Sequence, residues 1–112
     1  MSFHTSCQNI KLIKEEGRTI LHAEVRRRNN EMVACTFPLD RHIGNYNGGF
    51  QWGGHDFTHS ARDIQLEQTE RGPRLTAFLK GHDGECRELQ GLYLADRISN
   101  QDGNLVIDGF TT

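Results

Sequence analysis

The chain repeats itself, and this constrains its fold more than any other feature. At an offset of 54, Phe3 recurs as Phe57, Ser6 as Ser60, Ile10 as Ile64 and Leu12 as Leu66. Leu21 then recurs as Leu75, Ala23 as Ala77 and Glu31 as Glu85. From there the offset is 55: Leu39 and Leu94, Ile43 and Ile98, Asn45 and Asn100, Gly48 and Gly103. Ordered identities along one diagonal mark a duplicated unit, with repeats of roughly 1–52 and 53–112. The second copy gains one residue between Glu85 and Leu94, which is expected to form a strand bulge. A unit of about fifty residues buries too little apolar surface to stand alone. With hydrophobic residues at 35% of the 112, the copies are expected to share one core in a single domain with pseudo-two-fold symmetry.

Each copy reads as β structure. "TILHAEV" (19–25) and "RLTAFLK" (74–80) alternate apolar and polar residues with period two, the pattern of a half-buried strand. "NNE" (29–31) and "DGE" (83–85) follow as hairpin turns, each leading to a second strand, "MVACTF" and "CRELQGLY". "PLDRHI" (38–43) and "YLADRI" (93–98) are long enough for one helical turn, capped in the first copy by Asp40. "GNYNGGFQW" (44–52) and "SNQDGNLVI" (99–107) close the copies as Asn/Gly turns entering short apolar strands. Pro38 and Pro73 fall near element ends, and Trp52 is expected to anchor the core between the halves.

Charge and composition narrow the function classes. Net charge is 13 − 15 = −2, so no overall field draws the chain to nucleic acid or an acidic membrane. No apolar run is long enough to span a bilayer. The start, "MSFHTSCQN", lacks the basic and apolar regions of a signal peptide, so the expected location is the cytoplasm, or outside by another export route. Three cysteines, Cys7, Cys35 and Cys86, cannot all pair within the chain and fit a reducing compartment. His55 and His59 lie four apart, as do His82 and Cys86, but in loops or strands, where this spacing does not converge on a metal. No metal, cofactor or catalytic role is expected. "RRR" (26–28) is flanked by Glu24 and Glu31, which argues against a phosphate clamp for nucleic acid.

The order of these motifs resembles the cyanovirin-N lectin family over essentially the whole chain. The resemblance rests on the repeat length, on "F…S…I.L" opening each half, and on the "L…I.N..G.…W" and "L…I.N.DG.L" closes. "GGFQWGGHDFT" resembles fungal members in particular. It implies an all-β fold of two pseudo-symmetric halves, each a three-stranded sheet plus a β-hairpin, with strand exchange between the tandem repeats. The structural halves would then be roughly 1–42 plus 97–112, and 43–96. It also implies binding of mannose oligosaccharides or high-mannose glycans, especially terminal α1,2-linked mannose, without metal, cofactor or catalysis. Founding members hold each half with a disulfide. Here Cys7 faces an expected partner that is Val25, and the second pair is Ala61 and Leu79, so both bridges are absent and these positions should be well buried instead.

A mannose disaccharide offers vicinal hydroxyls and little flat apolar surface, so it is recognised by convergent short polar groups. Each hydrogen bond gains only about 0.5–1.5 kcal/mol against water. By resemblance, the first site gathers Phe3, Thr5 and Ser6, then Arg26 and Arg28, then Asn100, Gln101 and Asp102, with Asp102 accepting from two adjacent hydroxyls. The second would use Gly44, Asn45 and Asn47, then His55, Asp56, His59 and Ser60, then Lys80 and His82. There Gly44, Asn47 and His59 replace acidic residues, so the second site is expected to be weak. A protein-interaction module that keeps the fold and has lost sugar binding stands as the alternative. The flexible joint at Gly53 and Gly54 favours a monomer over a strand-swapped dimer.

Overall fold

A computed structural model describes residues 3–86 and 88–107, with side chains from Thr5 onward. In chain order the described strands are β1 (Cys7–Glu15), β2 (Arg18–Arg26), β3 (Met32–Pro38), β4 (Ile43–Tyr46), β5 (Gly49–Trp52), β6 (Ala61–Thr69), β7 (Gly72–Leu79), β8 (Gln90–Tyr93), β9 (Ile98–Gln101) and β10 (Asn104–Ile107). They form two antiparallel sheets, β1-β2-β3 and β6-β7-β8, and two hairpins, β4-β5 and β9-β10. Single 3-10 turns at Phe3–Ser6, Leu39–Arg41, Phe57–Ser60 and Leu94–Asp96 join them.

Strands are exchanged between the repeats. The β4-β5 hairpin of the first repeat bonds to the second: Asn45 Nδ2 donates to Ser60 Oγ and to the Lys80 carbonyl. The β9-β10 hairpin returns to the first: Asn100 Nδ2 donates to Ser6 Oγ and to the Arg26 carbonyl. Each half therefore takes its sheet from one repeat and its hairpin from the other.

The central strands follow the alternation in the sequence. On β2, Thr19, Leu21, Ala23 and Val25 point inward and are fully buried. Leu75, Ala77 and Leu79 do the same on β7. Leu39, Ile43, Phe57, Leu94 and Ile98 complete one continuous core. Phe50 meets Phe57 edge-on at 5.6 Å across the repeat joint, and Trp52 packs half-buried against the same cluster.

Strands β1 and β6, nine residues each, are absent from the alternation reading, and a bulge explains why. Between Gln8 and Lys11, β1 advances three residues while β2 recedes two, from Glu24 to His22. The extra residue, Asn9, sits at φ 53°, and its counterpart Asp63 on β6 has the same φ. The bulge resets the pleat, so the residues that reach the core are Cys7, Ile10 and Leu12, and then Ala61, Ile64 and Leu66. That spacing has no single period.

The residue gained in the second copy falls between the Lys80–Cys86 bridge and the start of β8 at Gln90, where the ladder is interrupted. In the first copy Ala23 faces Cys35 and Arg26 faces Met32, three residues against three. In the second, Ala77 faces Gln90 and Lys80 faces Cys86, three against four.

The role of Asp40 differs from the expected cap. Its own turn has no side-chain cap. Instead Oδ2 accepts from the Thr19 N–H at 2.6 Å and the Thr58 hydroxyl at 2.7 Å, while Oδ1 accepts from the Thr58 N–H at 3.0 Å. The buried carboxylate thus ties the start of β2 to the 3-10 turn Phe57–Ser60 of the other repeat.

The joint between the repeats is a fitted contact, not a slack hinge. Gly53 donates to the His42 carbonyl at 2.8 Å and Asp56 to the Asp40 carbonyl at 2.8 Å. A Cβ on Gly44 would sit 2.8 Å from the His55 nitrogen, and one on Gly54 would sit 2.8 Å from the Gly44 Cα. Both glycines are set by close backbone approach rather than by flexibility.

All three cysteines are free. Cys7 lies directly opposite Val25, and Ala61 opposite Leu79. Val25 and Leu79 are fully buried in place of a bridge, whereas Ala61 is only partly buried. Cys7 and Cys35 occupy the outer strands of one sheet, about 9–10 Å apart across β2, too far to pair. Burial pushes the Cys7 thiol up to about 11.

Candidate functional site

The β9-β10 hairpin turns in two residues, Asp102 at φ 50° and Gly103 at φ 91°, with Gln101 facing Asn104. Such a primed turn needs positive φ at both positions, which Asp and Gly tolerate. The β2-β3 connection is built from Arg27 donating to the Glu31 carbonyl at 2.8 Å and Asn30 donating to the Arg27 carbonyl at 2.9 Å. These two turns meet through side chains from the hairpin. Asn100 Nδ2 bonds Ser6 Oγ at 2.9 Å and the Arg26 carbonyl at 2.7 Å, and Asn100 Oδ1 accepts from the Gly103 N–H at 2.8 Å. Asp102 Oδ1 accepts from the Arg28 N–H at 2.9 Å.

A concavity of about 560 Å³ opens where they meet, within the range of small-molecule pockets. Six of the residues expected for the first site line it: Ser6, Arg26, Arg28, Asn100, Gln101 and Asp102. Two more line it that the sequence reading did not name, Arg27 and Asn30. The run "RRR" (26–28) is the signal that could have found Arg27. Its Nη2 stands 3.8 Å from Asp102 Oδ2. Thr5 is exposed on the 3-10 turn just before Ser6, and the Phe3 side chain lies outside the described residues.

Asp102 is held ionised. The Arg28 N–H, followed by the charges of Arg27 and Arg28, holds its carboxyl below the ordinary value of 3.8. Its Oδ1 is engaged by backbone, and Oδ2 stands 3.8 Å from Arg27 Nη2. Asn100 is different. Both hydrogens of its amide and its carbonyl oxygen already have protein partners, so it is a holder of the loop more than a ligand.

The second half repeats the frame. Asn45 Nδ2 bonds Ser60 Oγ at 2.7 Å and the Lys80 carbonyl at 2.9 Å, and Asn45 Oδ1 accepts from Gly48 at 2.8 Å. Asn47, at φ 47°, accepts from the His82 N–H at 2.9 Å. Gly81 and Gly84 make the same turn as Arg27 and Asn30. The frame matches bond for bond, but the group at the turn is a neutral amide rather than a carboxylate. The His82 ring stands edge-on to Tyr46 at 5.7 Å.

The other residues expected for the second site face elsewhere. His55 and Asp56 line a concavity of about 780 Å³ with Arg18, Arg41 and His42. Asp56 and His59 line a neighbouring one with Glu16 and Arg18. There His42 stacks on Phe37 at 4.9 Å, and burial, then Arg41 and His55, lower its pKa. Among the described residues no group of His, Cys, Asp and Glu is arranged to hold a metal ion.

A family model described as the CVNH domain matches residues 3–106. The cyanovirin-N homolog of Tuber borchii is 43% identical over 106 residues, covering 95% of this chain and 98% of its own. Its solved structure overlays with a TM-score of 0.79, covering 96% of this chain and all of that one. The cyanovirin-N homolog of Neurospora crassa is 36% identical over 106 residues, covering 92% of this chain and 95% of its own. Its structure gives a TM-score of 0.83, covering 97% of this chain and all of that one. A structure described as a microvirin–mannobiose complex is 30% identical, with a TM-score of 0.80 and coverage of 95% and 97%. The repeat, the exchanged strands and these matches agree: the chain belongs to the cyanovirin-N homolog family of carbohydrate-binding lectins.

Proposed function

We propose that the protein binds mannose-rich glycans, through terminal α1,2-linked mannose, at one competent site per monomer formed by Ser6, Arg26–Arg28 and Gln101–Asp102. The observation that carries this is the Asp102 carboxylate, ionised, fixed by the Arg28 N–H at 2.9 Å and lining the concavity. A fixed carboxylate accepts from two adjacent sugar hydroxyls with charge-assisted bonds, and preorganisation lowers the ordering cost of binding. The neutral Asn47 at the matching position makes the second half the weaker partner. Similarity to the microvirin–mannobiose complex supports the sugar class. The reading is of recognition without bond cleavage.

The test is a residue-resolved titration with α1,2-mannobiose. Shifts are expected at residues 5–7, 24–28 and 99–104 before any at 44–48 and 80–84. Gel filtration of the same sample should give a monomer. No shift anywhere at millimolar mannobiose would leave the fold as a protein-interaction module.

A further inference from the structure

We propose that the first-half concavity prefers mannose-type sugars that carry an acidic ester, phosphate or sulfate, over neutral ones. This rests on the lectin reading above and adds the charge class of the ligand.

Three arginines, Arg26, Arg27 and Arg28, line the pocket against one acidic residue, Asp102. The lining therefore carries +3 − 1 = +2 in a chain of net charge −2. Asp102 pairs with Arg27 at 3.8 Å and also feels the charge of Arg28; both side chains of the pair are more than 40% exposed, so the pairing is weak. Among the described residues Arg26 and Arg28 make no ion pair. A neutral disaccharide gives two such cations nothing to neutralise. A phosphate or sulfate ester gives them paired anionic oxygens, which the planar guanidinium fork binds bidentately.

The backbone beneath these arginines is fixed. The Arg26 carbonyl is bonded by Asn100 and the Arg28 N–H by Asp102, so the charges rise from a preformed base. The other half has the same base but carries Lys80, Gly81 and His82 at these positions, which removes the fork. Asp102 also selects against the alternative of a bare polyanion. Its ionised carboxylate sits among the arginines, repelling a phosphate chain while accepting from the hydroxyls of a sugar. A nucleic acid would meet that carboxylate as a cost, and a hydroxylated acidic sugar meets it as a partner.

The experiment is calorimetric titration of the full chain at low salt with α-methyl mannoside, mannose 6-phosphate, mannose 6-sulfate and inorganic phosphate. At least one acidic ester should bind about tenfold tighter than the neutral mannoside. The phosphate and sulfate arms identify which ester is preferred. The advantage should shrink toward unity near 0.5 M salt, where screening reaches about 4–5 Å. Inorganic phosphate should bind more weakly than the ester. In Arg26→Gln and Arg28→Gln, singly and together, the acidic-to-neutral affinity ratio should fall toward one, with folding checked by the amide spectrum. A native ratio of one, a ratio unchanged in the double variant, or inorganic phosphate or a short oligonucleotide binding as tightly as the ester would each overturn the proposal. If mannobiose shifts residues 99–104 while the ratio is one, only this proposal falls. If neither mannobiose nor any ester shifts them, the lectin reading falls with it.

Discussion

The carboxylate of Asp102 accepts from the backbone N–H of Arg28 at 2.9 Å, across 74 residues of sequence. The contact makes one side chain both a turn residue and a recognition group. Replacing Asp102 by Asn keeps the acceptor and removes the charge, copying Asn47. Mannobiose affinity is expected to fall about tenfold, as a charged acceptor becomes neutral. The melting temperature should stay within about 2 °C. Acid titration checks the same point. Because the folded-state pKa is lowered, the charge is complete above the ordinary value of 3.8 and is lost only as pH falls through the lower folded value. Binding should stay flat as pH falls from neutral toward the ordinary carboxylate value of 3.8 and decline only below it.

Asn100 and Asn45 hold matching sets of three hydrogen bonds. Replacing either by Ala should cost about 2–3 kcal/mol in urea unfolding, from bonds worth about 1 kcal/mol each. The two variants should separate in function. Asn100→Ala is expected to abolish mannobiose shifts at residues 99–104, and Asn45→Ala to leave them in place.

The repeat, the alternating strands β2 and β7, and the Asn/Gly hairpins were legible because each is a local or periodic pattern. Strands β1 and β6 were not, since Asn9 and Asp63 add one residue to the pleat and break the period. Asp40 read as the cap of its own turn because its partners, Thr19 and Thr58, stand 21 and 18 residues away. Asn100 looked like a ligand because sequence displays a side chain without showing that its hydrogens are already used. His55, Asp56 and His59 lie near Ser60 in the chain, yet they line concavities with Arg18 and other residues of the β2 side. Sequence neighbours on a 3-10 turn diverge by direction, which spacing alone does not encode.

Asp40 joins the repeats through three accepted bonds in a buried setting. Asp40→Ala should cost about 3–5 kcal/mol, because it strands the Thr19 and Thr58 donors. Asp40→Asn, which keeps one acceptor oxygen, should fall between the variant and the native chain. Urea midpoints with constant slope provide the measurement.

Cys7 faces Val25 directly across β1 and β2, where opposed Cα atoms lie about 4.5–5.5 Å apart. Val25→Cys is therefore expected to form a bridge under oxidation, raising stability by about 3 kcal/mol over the reduced form. The oxidised and reduced melting curves decide this. In the native chain the Cys7 thiol, pushed up to about 11, should alkylate much more slowly at pH 7.5 than a free cysteine.

The twin frames of Asn45 and Asn100 give every molecule an internal reference. Two pockets on one backbone share their scaffold bond for bond and differ at the residues that face outward. Any ligand presented to the chain is offered an acidic-tipped cradle and a neutral-tipped one at the same concentration, temperature and pH. A single spectrum then compares recognition by Arg26–Arg28 with Asp102 against Lys80–His82 with Asn47 on one shared scaffold.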